Sequence, residues 1–274
     1  MKRNFIIILF SAAFFKSYAQ DSASTLPKAR HAFIVVAHRG DHTEAPENTL
    51  RAFENAIRND VDYVEIDLRT TKDSQLIIMH DASVDRMTNG KGLVRDLTLE
   101  EIRKLKAKDK SHPEWGEFAI PTFREVMELC KDKINIYLDF KNADVAETYK
   151  QLLEFQMEKQ VLVYINEEKQ FYQWRKIEPK IPLMVSLPAS VKDNKSLKTF
   201  LSKDRVEVLD GSYREYTSEM VKAATEMGCA VLPDIQQPNE NAELWGPVIQ
   251  MAVYGLQTDH PAALIRYLKE KKLR

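Results

Sequence analysis

From Phe33 almost to the end of the chain, apolar runs of four to seven residues alternate with stretches of helical periodicity. Few architectures accept that rhythm. The runs Phe33 to Ala37, Tyr63 to Leu68, Leu76 to Met79, Ile134 to Phe140, Val161 to Ile165, Pro182 to Leu187, Val206 to Leu209, Ala230 to Pro233 and Tyr254 to Thr258 read as strands. Helical spacing follows most of them: up to Arg58 after the first, then Thr122 to Cys130, Asp144 to Glu158, Gln170 to Ile177, Asn194 to Ser202, Ser218 to Met227, Ala242 to Met251 and Pro261 to Lys271. About eight strand-then-helix units result, which favours a closed parallel barrel. An open doubly wound sheet is the competing fold, but no glycine-rich phosphate loop follows the first strand. The rhythm stalls between Asp81 and Ala119, where Asn89-Gly90 and Pro113 mark turns, so this segment is expected to be an excursion across one face.

The chain opens with Lys2-Arg3, an almost wholly apolar stretch from Phe5 to Phe15, and Ser17-Tyr18-Ala19. This is the pattern of a cleavable export segment over residues 1–19. It is too short for a permanent span, and no later stretch reaches the roughly 18–20 apolar residues of one, so a periplasmic or secreted protein without a stable membrane anchor is expected. Cleavage would leave 255 residues, about the size of one barrel, and loss of Lys2, Arg3 and Lys16 takes the formal net charge from −1 to −4. That balance argues against a nucleic-acid partner and leaves an anionic small molecule to be captured by local charge. Cys130 and Cys229 sit in apolar segments and are compatible with either a disulfide or two buried thiols.

In a parallel barrel the loops after the strands share one rim. His38, Arg39, Glu65, Asp67, His80, Asp139, Lys141 and Asp259 are the candidates there. Side chains alternate along a strand, so Glu65 and Asp67 share a face with Ile66 opposite. Asp139, near the end of another strand, brings the oxygen ligands to three. That suits Mg²⁺ or Ca²⁺ rather than structural zinc. His38 and His80 are candidate proton carriers, the Arg39 fork fits two phosphate oxygens, and Lys141 shares a face with Asp139. His31, His42 and His112 lack such context and read as surface or loop residues.

The ordered motifs His38-Arg39-Gly40, Pro46-Glu47-Asn48-Thr49, Glu65-Ile66-Asp67, Thr70-Thr71-Lys72-Asp73, His80-Asp81 with Asp85-Arg86-Met87-Thr88, Ile120-Pro121-Thr122 and Thr258-Asp259-His260-Pro261 resemble the glycerophosphodiester phosphodiesterases across nearly the whole exported chain. The resemblance implies an α/β fold, a TIM-like (β/α)8 barrel with a small insertion after the second barrel strand, spanning residues 20–274. It implies Ca²⁺ or Mg²⁺ held at Glu65, Asp67 and Asp139, with His38 and His80 as general acid and base, Arg39 and Lys141 on the phosphate, and Glu47 in support. The substrate would be a small glycerophosphodiester, cleaved to glycerol phosphate and a free alcohol. Three departures stand out: Asp139 where the family usually has Glu, Leu232 to Gln237 in place of a tryptophan-containing segment, and Tyr254-Gly255 where an acidic residue and glycine are common.

Three other readings compete. A metal-independent, phospholipase C-like phosphodiesterase would replace the cation with arginine, which leaves the carboxylates unused. A non-catalytic phosphodiester-binding barrel would have no need of two histidines. Glycoside hydrolysis by the carboxylate pair explains neither Arg39 nor the histidines.

Overall fold

The computed structural model describes residues 26–274, so the export segment expected at 1–19 lies outside the described residues. Eight parallel strands form the wall: β1 (Ile34–Ala37), β2 (Tyr63–Thr70), β4 (Asn135–Phe140), β5 (Val161–Ile165), β6 (Leu183–Ser186), β7 (Val208–Asp210), β8 (Ala230–Val231) and β9 (Gly255–Thr258). Their order is β8-β7-β6-β5-β4-β2-β1-β9. The seam between β8 and β9 is joined by Tyr254 N to Val231 O at 2.8 Å, Gln257 N to Pro233 O at 3.2 Å and Ile235 N to Gln257 O at 3.0 Å. A nearly closed TIM-like barrel is thus the observed fold, as the alternation required.

The helices return the chain outside the wall: α1 (Leu50–Arg58), α3 (Phe123–Cys130), α4 (Val145–Phe155), α5 (Glu168–Ile177), α6 (Asn194–Lys203), α7 (Ser218–Glu226), α8 (Ala242–Gln250) and α9 (Pro261–Glu270). Side chains pointing outward from the strands, such as Val35, Ile66, Leu138, Val163 and Leu209, pack with Phe53, Phe123, Trp174 and Leu264 of the helices. Those pointing inward, Ile34, Val36, Tyr63, Tyr137, Leu162, Met184, Val208 and Ala230, fill the barrel. Burial on both faces explains the near-continuous apolar runs. Cys130 and Cys229 are two separate buried thiols, which settles the alternative left open by sequence.

One strand stands apart from the parallel ring. β3 (Leu76–Ile78) runs antiparallel to β2, pairing Leu68 with Ile78 and Thr70 with Leu76. It is the return arm of a hairpin turning at Ser74, whose φ is 62°, and it carries His80 back to the rim. The segment beyond it contains α2 (Leu99–Arg103), capped by Thr98 and Glu101 in a reciprocal box. A separate apolar cluster of Ile77, Val84, Met87, Val94, Ile102 and Ile120 holds this segment down.

Candidate active site

The sheet register places Asp67 directly beside Asp139, with Glu65 one inward position lower on β2. Ligand oxygens of Glu65, Asp67 and Asp139 all lie within 4.8 Å of one another. Burial, then the charges of Asp67 and Asp139, push the Glu65 carboxyl well above its ordinary value. Asp67 is equally buried, yet Lys141 and Arg39 hold its carboxyl below the usual range. Asn48 Nδ2 donates to Asp67 Oδ2 at 2.7 Å, and Asn166 Nδ2 to Asp139 Oδ1 at 2.7 Å. Asp67 Oδ1 is buried and makes no aligned hydrogen bond; its one close partner is the Lys141 ammonium, 3.2 Å away. Three carboxylates whose oxygens converge inward, compensated here by a single ammonium and a guanidinium, are the donor set that a hard cation with oxygen ligands requires. The residues therefore fit such an ion.

Lys141 Nζ lies 2.5 Å from Asp139 and 3.2 Å from Asp67. Arg39 donates from Nη1 to Glu47 at 3.0 Å and sits with Nε 3.7 Å from Asp67. Both basic groups that the resemblance places on phosphate thus face the acid cluster. Arg39 has a φ of 53° and its backbone N–H donates to Glu65 Oε2 at 2.7 Å. Gly40 follows at φ 87°, where a Cβ would stand 2.8 Å from that of Ala52. Gly40→Ala is expected to cost about 1–3 kcal/mol of stability and to lower activity by shifting His38 and Arg39; urea unfolding midpoints and turnover check both.

The two histidines share a construction. His38 Nδ1 lies 2.7 Å from Asp259, and His80 Nδ1 lies 2.8 Å from Asp81. Each carboxylate fixes the proton on Nδ1 and leaves Nε2 free to exchange one. Burial would raise the Asp259 carboxyl, but hydrogen bonds from His38 and His42 hold it well below the usual carboxylate range. Asp81 is held low chiefly by Arg86, which donates to it at 2.7 Å and to Glu47 at 2.7 Å. Glu47 therefore supports His80 through Arg86 and Asp81, and also pairs with Arg39. On the other side of His80, Arg69 Nε donates to the backbone oxygens of Met79 and His80, each at 3.0 Å.

The eight rim candidates come together: His38, Glu65, Asp67, His80, Asp139 and Lys141 line one cleft of about 170 Å³, Arg39 backs it, and Asp259 stands behind His38. His42 lies in a loop as read, but it is tied to the site: its Nε2 lies 3.1 Å from Asp259 and its side chain is 27% exposed. His31, bonded to Asp62 at 2.7 Å, and His112, stacked on Trp115, stand apart from the rim. Asn166 was missed, although it follows strand β5 directly and strand ends are the rim. Asn48 lay inside a quoted motif with no role at the site assigned to it; the neighbouring Thr49 caps α1, accepting from Ala52 N.

The glycerophosphoryl diester phosphodiesterase family model matches residues 38–263. A glycerophosphodiester phosphodiesterase from Caldanaerobacter subterraneus subsp. tengcongensis is 30% identical over 246 residues, covering 86% of this chain and 98% of that protein. Among solved structures, a glycerophosphodiester phosphodiesterase from Agrobacterium tumefaciens str. C58 superposes with a TM-score of 0.74 at 22% identity, covering 84% of this chain and 98% of that one. An Oleispira antarctica phosphodiesterase in complex with the product sn-glycerol-3-phosphate gives 0.75 at 22% identity, covering 91% and 100%. At those identities the structures speak for the fold. Matched by the family model along most of its length, and by a relative along nearly all of that relative's own, the chain belongs to the glycerophosphoryl diester phosphodiesterase family.

Proposed function

We propose that this cleft hydrolyses glycerophosphodiesters to glycerol phosphate and a free alcohol with the help of one divalent cation, Ca²⁺ or Mg²⁺, held by Glu65, Asp67 and Asp139. The chain is an enzyme, a phosphoric diester hydrolase, and the substrate is a small molecule. The observation that carries the reading is the convergence of three inward carboxylates and two carboxylate-anchored imidazoles on one cleft. Bound there, the cation supplies charge for a phosphate oxygen and lowers the pKa of an attacking hydroxyl, from water or from the substrate's own glycerol. Nε2 of one histidine takes the proton of that hydroxyl, and Nε2 of the other delivers one to the departing alkoxide. Arg39 and Lys141 turn from the carboxylates toward the phosphate as its charge arrives. Export through residues 1–19 would place the reaction outside the cytoplasm. No described helix is long and apolar enough to cross a membrane.

A product assay over a panel of glycerophosphodiesters, with each divalent ion restored after chelation, tests this reading. Loss of activity in chelator and recovery with Ca²⁺ or Mg²⁺ is expected. The position of Lys141 between Asp67 and Asp139 supports a second, metal-independent reading, in which the ammonium is the resident cation. Full activity in chelator selects it.

Asp259 and Asp81 position the imidazoles without touching substrate. Asp259→Asn keeps the shape and removes the charge that fixes His38 Nδ1–H. It is expected to lower kcat by up to the roughly 10²–10⁴ of a full acid/base group while KM changes little; a drop confined to KM would remove the positioning role.

A further inference from the structure

The inner rim divides into two halves. β1, β2 and β4 contribute His38, Glu65, Asp67 and Asp139, with His80 arriving from the hairpin. The other half, on β5 to β9, contributes Tyr164, Ser186, Asp210, Asp234 and Gln257, and the reaction described above uses none of them. Register ties them into one wall: Ser186 pairs with Asp210, and Asp234 bridges to Gln257. Tyr164, Asp210, Asp234, Gln236 and Gln257 line the same cleft as the catalytic half.

Asp210 is 3% exposed and lines the same cleft as Asp234, whose charge acts on it. Its Oδ2 accepts from Tyr137 at 3.2 Å, while its Oδ1 has no donor. Neither carboxylate has an ion-pair partner among the described residues. Other buried carboxylates do: Asp62 meets Arg274 at 2.6 Å and Glu207 meets Arg175 at 2.6 Å. An independent observation comes from Gln257, which is 5% exposed. Its Nε2 is committed to Asp234 Oδ1 at 2.6 Å, which fixes the amide orientation and leaves Oε1 buried without a partner. The wall thus offers several acceptors, while the side-chain donors that reach its two acids, Tyr137, Gln236 and Gln257, are all neutral.

We propose that Asp210, Asp234 and Gln257 form a subsite for a primary ammonium group on the alcohol arm of the diester, ethanolamine being the simplest such arm. An R–NH₃⁺ group has three donors and one charge, matching two carboxylates and an amide oxygen. A neutral hydroxyl brings one donor and leaves the acids uncompensated. A trimethylated ammonium brings no N–H donor and calls for apolar or aromatic walls. No aliphatic residue lines this cleft, and its only aromatic carbocycles are Tyr137 and Tyr164. Burial, and then Asp234, push the Asp210 carboxyl well above its ordinary value, as expected of a pair waiting for a cation.

The inference rests on the hydrolase reading, and the test separates the two. In the metal-supplemented full enzyme, kcat/KM is compared for glycerophosphoethanolamine, for the ester in which the ammonium is replaced by hydroxyl, and for the trimethylated ester. The primary ammonium arm is expected to exceed each of the others by at least about tenfold, the value of a charge-assisted hydrogen bond. Asp210→Asn and Asp234→Asn should each bring the ammonium-to-hydroxyl ratio close to one, mainly through KM for the ammonium ester. Because a ratio is read, a general loss of active protein cancels. Equal handling of the three arms by the natural enzyme, or a ratio unmoved by both substitutions, overturns the subsite while the hydrolase reading stands. Turnover of no diester at all removes that reading, and the subsite with it.

Discussion

His38→Ala and His80→Ala each lower turnover by at least about two orders of magnitude while leaving the protein folded. Both side chains are partly solvent-accessible, at 21% and 35%, so their removal opens little cavity in the core. What each variant loses is an Nε2 poised by its partner's carboxylate. When both groups act in one transition state, the double variant falls short of the product of the single losses. Release of glycerol phosphate under saturating substrate measures the effect, and a thermal melt reports folding. A diester with a good leaving group, such as a nitrophenol, separates the roles: the variant whose loss it largely repairs has lost the general acid, and the other has lost the base. Near-natural turnover in both alanine variants would remove the acid/base assignment.

The second large effect is expected at Asp67. Its two oxygens face Lys141 at 3.2 Å and Arg39 at 3.7 Å, its only counter-charges within ion-pairing distance among the described residues. Asp67→Asn removes charge from the middle of the proposed ligand set without changing its outline. The natural protein should gain about 2.7 kcal/mol of stability from an ion present at a hundred times its dissociation constant, whereas the variant gains almost none. Activity in the variant should fall to the level that the natural enzyme shows in chelator. The raised Glu65 carboxyl adds a pH dependence with a definite sign: its proton competes with the ion, so cation binding releases protons and weakens on acidification. Titration calorimetry in buffers of different ionisation enthalpy reads that release. An ion-induced stability gain that survives in Asp67→Asn would place the ion elsewhere.

Much of this was legible in the sequence because the barrel imposes simple periodicities. Strands buried on both faces read as apolar runs, and inward residues at their ends read as site candidates. Glu65, Asp67, Asp139 and His38 were found that way. His80 was also found, at the end of a run that follows the second strand directly; its antiparallel direction was left open, because a hairpin arm and a parallel barrel strand both read as a short apolar run. His42 was passed over because it lies in a loop and its partner Asp259 is 217 positions away. Asp210 and Asp234 each follow an apolar run with no second acid at strand spacing; only the register of β7, β8 and β9 brings them to one wall. Arg39 and Lys141 were read from their chemistry as phosphate ligands; that they also pair with Glu47, Asp67 and Asp139 depends on the fold and not on any local pattern.

The account turns on where the ion sits, and a crystal structure with Ca²⁺ and glycerol phosphate measures that directly. The expected result is one ion with carboxylate oxygens of Glu65, Asp67 and Asp139 at about 2.3–2.6 Å, a phosphate oxygen completing the shell, and Nε2 of His38 and of His80 within hydrogen-bond reach of ester or attacking oxygens. An ion lodged instead among His38, His42 and Asp259, the other group whose ligand atoms lie within 4.8 Å of one another, would contradict it.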